Sequence, residues 1–339
     1  MFVEFDSFKH PTLDGSSSSW VNSIEFWPSL AGPQIFAALG GRRITIYEIS
    51  IKLQILRVFR DEDEKEDFYC SCFTQSLLDN QPLICAGGES GIIKLVNLES
   101  ASLYSILMGH GGPINDLKTF TGNLDLLFSC SKDESIRLWS ISTRQCLAMF
   151  SGEDGHRNAV LNISLHQSMK WMATLGLDNS IKVWGLDCPI LHQTIANRIS
   201  HPPVQCIQFP IYTTCQNYID CVEWVGDLLL SKTTTSQCIL WKPDMRRHNK
   251  AMVICRQYEH QEQWLTKLST STTFEHFVVG GKDGALFIFS LNQIPPQQVI
   301  QLVQFTKPVQ TVRFSPNNRW IVWGGKDDWI GCLQHQSMA

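Results

Sequence analysis

The residues with most chemistry in this 339-residue chain are twelve cysteines, ten histidines and one acidic run, DEDEKED, at residues 61–67. Thiols at short paired spacings would hold zinc, yet no C-x-x-C occurs and the closest pair is Cys70 with Cys72. Residues two apart on a strand share a face, and free cysteine packs as a small hydrophobe. The spacing therefore points to buried, reduced thiols and an intracellular compartment rather than to metal ligands. The acidic run has a local charge of −5 in a chain whose total is −4, so everything else nearly cancels. It leads directly into Phe68-Tyr69-Cys70, an aromatic pair beside concentrated negative charge. That pairing suits a cation.

The totals exclude several classes. With 43% hydrophobic and 18% charged residues, the chain folds around a large core. Near-neutral net charge argues against gripping nucleic acid by bulk electrostatics, and no direct sequence-specific binding is expected. The dipeptides Arg42-Arg43 and Arg246-Arg247 read as solvated loop residues. No apolar run of about 18 residues offers a membrane span. The opening MFVEFDSFKHPTL lacks the basic start and apolar core of a secretory signal. Walker, G-x-S-x-G and H-E-x-x-H motifs are absent, so catalytic residues, a metal and a cofactor are not expected.

The elements that position these residues emerge from an internal repeat. GHGGPINDLKTFTGNLDLLFSCSKDESIRLWSI begins at Gly109, and GHRNAVLNISLHQSMKWMATLGLDNSIKVWGL begins at Gly155. Each runs Gly-His, two apolar alternating stretches, an Asp turn and a strand ending in Trp, which resembles the WD40 repeat. More worn copies end at Tyr47, Val96, Trp241, Phe289 and Cys332. Successive copies are 49, 43, 45, 57, 48 and 43 residues apart, so one insertion falls at about residues 188–217. Four short strands per copy cannot bury both faces alone, and the predicted fold is an all-β, seven-bladed WD40 propeller. His110, Asp133 and Trp139 form one expected blade network, and His156, Asp178 and Trp184 another; these histidines are needed by the blades. Too few residues follow Cys332 for a last outer strand, so the segment around MFVEFDSF is expected to close the ring. The expected organisation is a closing segment at 1–19, the propeller at 20–335 and a tail at 336–339.

Finer similarity narrows the family. SKDESIRLW, EDGHRNAVL, GGESGIIKLVN, GDLLLSKTTTSQCILWKP and the insertion ending in FPIYTTCQNYIDCVEW resemble the Extra sex combs/EED family of WD40 proteins. So does the acidic loop leading into Phe68-Tyr69-Cys70, and the resemblance covers roughly residues 20–335. It implies a non-catalytic subunit of Polycomb repressive complex 2 in the nucleus, on chromatin. Such a subunit scaffolds a SET-domain histone methyltransferase along the bottom of the propeller, beside other subunits of the complex. At the top it reads trimethyl-lysine on histone H3 tails for transcriptional repression. Another WD40 scaffold without methyl-lysine reading, a ubiquitin-ligase substrate receptor or a histone chaperone, is the alternative.

By the same resemblance the methyl-lysine cage falls on Tyr69, Trp264, Leu265 and a first-strand residue. That last member is Trp20 by an ungapped match, or Asn22 if Ile24 and Phe26 are aligned as core; Trp20 is preferred. Asn115, Lys132, Tyr218, Asp220 and Lys267 match positions lining the tail pocket, and Gln310 stands where the family has an arginine. Leu265 replaces an aromatic residue. A quaternary ammonium has no N–H, so each lost ring face removes roughly 0.5–2 kcal/mol of recognition. Read without the family, Trp264 at a strand start would be core, and Tyr69 would cap the core with its hydroxyl in water.

Overall fold

The computed structural model describes residues 1–9, 20–120, 122–198, 204–205, 211–214, 218–235, 237–243, 253–259, 266–293, 298–303 and 305–336. Seven sheets follow one another as the blades of a seven-bladed β-propeller. Blade 3 shows the pattern, with antiparallel strands Ile114–Phe120, Asn123–Ser131, Ile136–Ser140 and Gln145–Phe150. The residues that end the sequence copies share one register across blades. Leu127 pairs with Trp139, Met172 with Trp184, Phe36 with Tyr47, Ile84 with Val96, Phe277 with Phe289 and Val322 with Cys332. A large apolar residue is needed there because the position is buried in every one of those blades.

The chain divides into two compact units, described separately. The first comprises residues 1–68, 234–238 and 258–339. Here the strand Phe2–Lys9 pairs antiparallel with Trp329–His335, from Phe2 opposite His335 to Lys9 opposite Trp329, and so supplies blade 7 with its outer strand. Phe2 is buried among Phe314, Leu333 and Leu302. Phe5 packs edge-on against Trp320 with ring centroids 4.8 Å apart.

The second unit comprises residues 69–233 and 239–257. First strands of successive blades meet through side chains that accept neighbouring backbone N–H groups. Asp116 Oδ2 accepts from Ile163 N at 3.0 Å and from Asn162 Nδ2 at 2.7 Å; Asn162 Oδ1 accepts from Val222 N at 2.8 Å. Each strand edge would otherwise bury unpaired amides, and these buried polar residues remove that cost. Cys70, Cys72 and Cys85 lie in one apolar cluster with Leu83, Leu95, Leu117 and Trp139.

Blades 3 and 4 each contain a chain of donors. Trp139 Nε1 donates to Ser129 Oγ at 2.8 Å, Ser129 lies 2.7 Å from His110 Nε2, and His110 Nδ1 lies 2.8 Å from Asp133 Oδ2. The blade 4 counterparts are Trp184, Thr174, His156 and Asp178. Burial pushes both imidazoles below their ordinary value against the pull of their aspartates, so each is neutral. A neutral ring donating from Nδ1 accepts the hydroxyl proton at Nε2, which gives the chain a single direction. Burial alone would raise the two aspartates, but the histidine, backbone N–H and serine hydroxyl hydrogen bonds outweigh it and hold both well below the carboxylate range. Where the tryptophan is replaced by Tyr47, Val96, Phe289 or Cys332, the register position of Ser129 holds Ala38, Ala86, Val279 or Gly324. The indole N–H and its hydroxyl acceptor disappear together.

The insertion provides structure of its own. Its helix Pro189–Asn197 starts on a proline, whose missing N–H costs nothing in the first turn. Ile211–Thr214 then forms the outer strand of blade 4 against Ser180–Gly185, and Val204–Gln205 adds a parallel fifth strand to blade 3.

Candidate functional site

Four of the expected ligand-facing residues share one structural position. Tyr69, Asn115, Asp220 and Gln310 are each the second residue of their blade's first strand. In blades 3, 5 and 7 that residue is the extra member of a bulge, between Ile114 and Asp116, Ile219 and Cys221, and Val309 and Thr311. A bulge re-aims its side chain away from the regular alternation, which makes this end of each first strand a natural place for contacts with a ligand.

In the first unit the same register runs through Asn22. Val21 N donates to Gly325 O and Val309 N to Gly281 O, both at 3.1 Å. A Cβ on Gly324 would press on Val21 as one on Gly280 would press on Val309. Val21 is thus the counterpart of Val309, and Asn22 that of Gln310. Trp20, preferred from the ungapped match, lies two residues earlier in an isolated bridge with Lys326, whose ammonium sits over its indole at 5.4 Å. Ile24 and Phe26 are both core. Lys267 is half-buried and its N–H donates to Gln310 O at 3.1 Å. Trp264 and Leu265 lie outside the described residues.

The acidic run is less free than its composition suggests. Asp61 and Glu66 are buried, Asp61 Oδ1 caps Asp63 N at 2.9 Å, and Asp67 Oδ1 accepts from Asn22 Nδ2 at 3.1 Å. Asn22 Nδ2 also donates to Phe68 O at 2.9 Å. Of the six acids only Glu62, Asp63 and Glu64 are exposed; the others fix the loop leading to Tyr69.

In the second unit, Tyr69 is half-buried and its hydroxyl donates to the exposed Glu89 Oε2 at 2.8 Å. Asn115 Nδ2 donates to Val160 O at 2.7 Å. Lys132 and Tyr218 are exposed. Asp220 is not a pocket-lining carboxylate in open water: its Oδ2 lies 2.8 Å from Lys232 Nζ, and both side chains are buried. Lys232 and Glu89 were not singled out from the sequence. The signal for Lys232 was a lysine inside the apolar strand Leu228–Thr233. For Glu89 it was an acid in the turn after Pro82–Gly88, where blade 3 has Lys132.

At the far end of the strand that begins at Ile114–Asn115 lies an apolar cavity of about 300 Å³, lined by Phe120, Leu126, Phe128, Met169, Leu191 and Ile195 among others. The insertion helix forms one wall of it.

Comparison with known proteins places these features. The WD domain, G-beta repeat family matches residues 101–140 and 144–185. The Polycomb group protein FIE2 of Zea mays is 31% identical over 312 residues, covering 87% of this chain and 82% of that protein. The Polycomb group protein FIE1 of Oryza sativa is 34% identical over 78% of this chain and 73% of its own length. The Polycomb protein esc of Drosophila melanogaster is 30% identical over 83% and 72%. Among solved structures, a chain of the Chaetomium thermophilum polycomb repressive complex 2 superposes with TM-score 0.86 at 18% identity, covering 99% of this chain and 98% of that one. A chain of the same complex with H3K27me3 and H3K27M gives 0.85 at 18%, with 98% of each covered. The fold of the present chain is therefore shared along essentially its whole length.

Proposed function

From the premise that this chain belongs to the Extra sex combs/EED family of Polycomb WD40 proteins, we propose that it is a non-catalytic subunit of a Polycomb repressive complex 2-like histone H3 lysine methyltransferase. It acts in the nucleus, on chromatin, as a scaffold for the SET-domain enzyme and as a reader of trimethyl-lysine. The observation that carries this is the extent of the similarity: it runs over 87% of the chain, far beyond the two generic repeats at 101–140 and 144–185.

The two faces have separate roles. The ends of the first strands that carry Tyr69, Asn115 and Gln310 take the histone tail, with Tyr69 and Trp264 as the aromatic cage members and Leu265 as an apolar wall. Lys132, Tyr218 and Lys267 flank the peptide. Asn22 takes the first-strand position in preference to Trp20, on the register argument, and Asp220 contributes through its pairing with Lys232. The opposite face holds the methyltransferase, and the apolar cavity beside the insertion helix supports that reading.

With Leu265 in place of one of the family's rings, binding relies on the remaining aromatic faces at roughly 0.5–2 kcal/mol each. A trimethylated H3K27 peptide is expected to bind more tightly than the unmodified one in calorimetric titration, and Tyr69→Ala is expected to remove the difference. Equal affinity of the wild-type protein for the two peptides would defeat the reader role and leave the scaffold role standing.

A further inference from the structure

We infer that Glu89 sets the methyl-state preference of the Tyr69 site, so that dimethyl-lysine binds at least as tightly as trimethyl-lysine. The inference rests on the reading of Tyr69 as a cage ring and adds a specificity-determining residue to it.

The geometry is a carboxylate fixed at the rim of an aromatic ring. The Tyr69 hydroxyl donates to Glu89 Oε2 at 2.8 Å, which anchors an otherwise exposed acid. A carboxylate offers two oxygens and about four acceptor sites, so one phenol proton leaves most of its capacity unspent. A cation stacked on the ring within about 6 Å of its centre lies beside that carboxylate. The rim position follows from the fold. Tyr69 is the second residue of the first strand of blade 2, and Glu89 opens the turn after its second strand, so the hairpin brings both to one end of the blade.

The chemistry of the ligands then separates them. Trimethyl-lysine has no N–H; it gains from ring faces and from a Coulomb term that water and salt screen. Dimethyl-lysine at neutral pH keeps one N–H and can donate it to the carboxylate, and such charge-assisted hydrogen bonds are about twice as strong as neutral ones. An all-aromatic cage rewards the third methyl group. Here Glu89 supplies a charged acceptor at the ring's hydroxyl edge, which shifts the balance toward a ligand that retains a proton.

Glu89 could instead serve only to cap the Tyr69 hydroxyl. Glu89→Gln separates the two roles, because the amide oxygen still accepts from the phenol while the charge is removed. Histone H3 peptides carrying unmodified, dimethylated or trimethylated lysine 27 are titrated into the wild-type protein, Glu89→Gln and Tyr69→Ala. In the wild type the dimethyl peptide should bind as tightly as the trimethyl peptide or more so. In Glu89→Gln the ratio should move roughly three- to tenfold toward trimethyl-lysine. A wild-type preference for trimethyl-lysine, or a ratio unmoved by Glu89→Gln, overturns the inference while the reader role survives. Failure of both methylated peptides to outbind the unmodified one overturns the reader role itself.

Discussion

Removal of residues 1–9 is expected to unfold the propeller rather than trim it. The strand Phe2–Lys9 is the outer strand of blade 7, hydrogen-bonded to Trp329–His335 along its length. It also ties blades together from outside. Gln298 exchanges two hydrogen bonds with the Phe2 backbone, at 3.0 and 2.7 Å, and Asp6 Oδ2 accepts from Leu53 N at 3.1 Å. Phe2 is buried, while Phe5 and Phe8 pack half-buried against Trp320 and Tyr47. Counting the last two at half weight, the apolar contribution alone is roughly 3–6 kcal/mol. Whole-domain stabilities are about 5–15 kcal/mol, so little would remain. The deletion would also leave Trp329–His335 as a bare edge, open to pairing with other chains. A melting temperature lowered by more than about 10 °C, or aggregation on expression, is the expected result. An unchanged melting curve would contradict closure by this strand.

The second large effect is expected inside blade 5. Lys232 and Asp220 face each other across the paired strands Leu228–Thr233 and Ile219–Val225, with Nζ and Oδ2 2.8 Å apart and both side chains out of water. Truncating one partner strands the other's charge in a low-dielectric interior, which typically costs about 3–5 kcal/mol. Lys232→Ala should therefore lower the urea midpoint sharply. The double variant Lys232→Met, Asp220→Asn removes both charges at similar volume and should recover most of the loss. The recovery distinguishes a charge effect from lost packing: if the double variant is as unstable as the single one, the ion pair is not what holds this region.

The architecture was legible in the sequence because the repeat imposes one register on every blade. A buried apolar residue must oppose another at the position of Trp139, and this held even where Trp had become Val96 or Cys332. The closing strand, expected around MFVEFDSF, is the strand Phe2–Lys9 paired with Trp329–His335. Two features were not legible. The insertion has no repeat to copy, so its outer strand Ile211–Thr214 and helix Pro189–Asn197 were hidden in a spacing anomaly. The acidic run was misleading in a different way. Composition counts charges but not their partners, and Asp61, Glu66 and Asp67 are spent on burial and on holding Asn22. Trp20 stacks under Lys326, two residues before the register position that Asn22 shares with Gln310.

Membership in a working methyltransferase complex is tested most directly by reconstitution. The chain is co-expressed with a SET-domain histone H3 methyltransferase of the Polycomb class, and the mixture is resolved by size exclusion and assayed on nucleosomes. The expected result is a single stoichiometric complex whose methylation of histone H3 exceeds that of the enzyme alone. Separate elution of the two proteins, with enzyme activity indifferent to this chain, would contradict it.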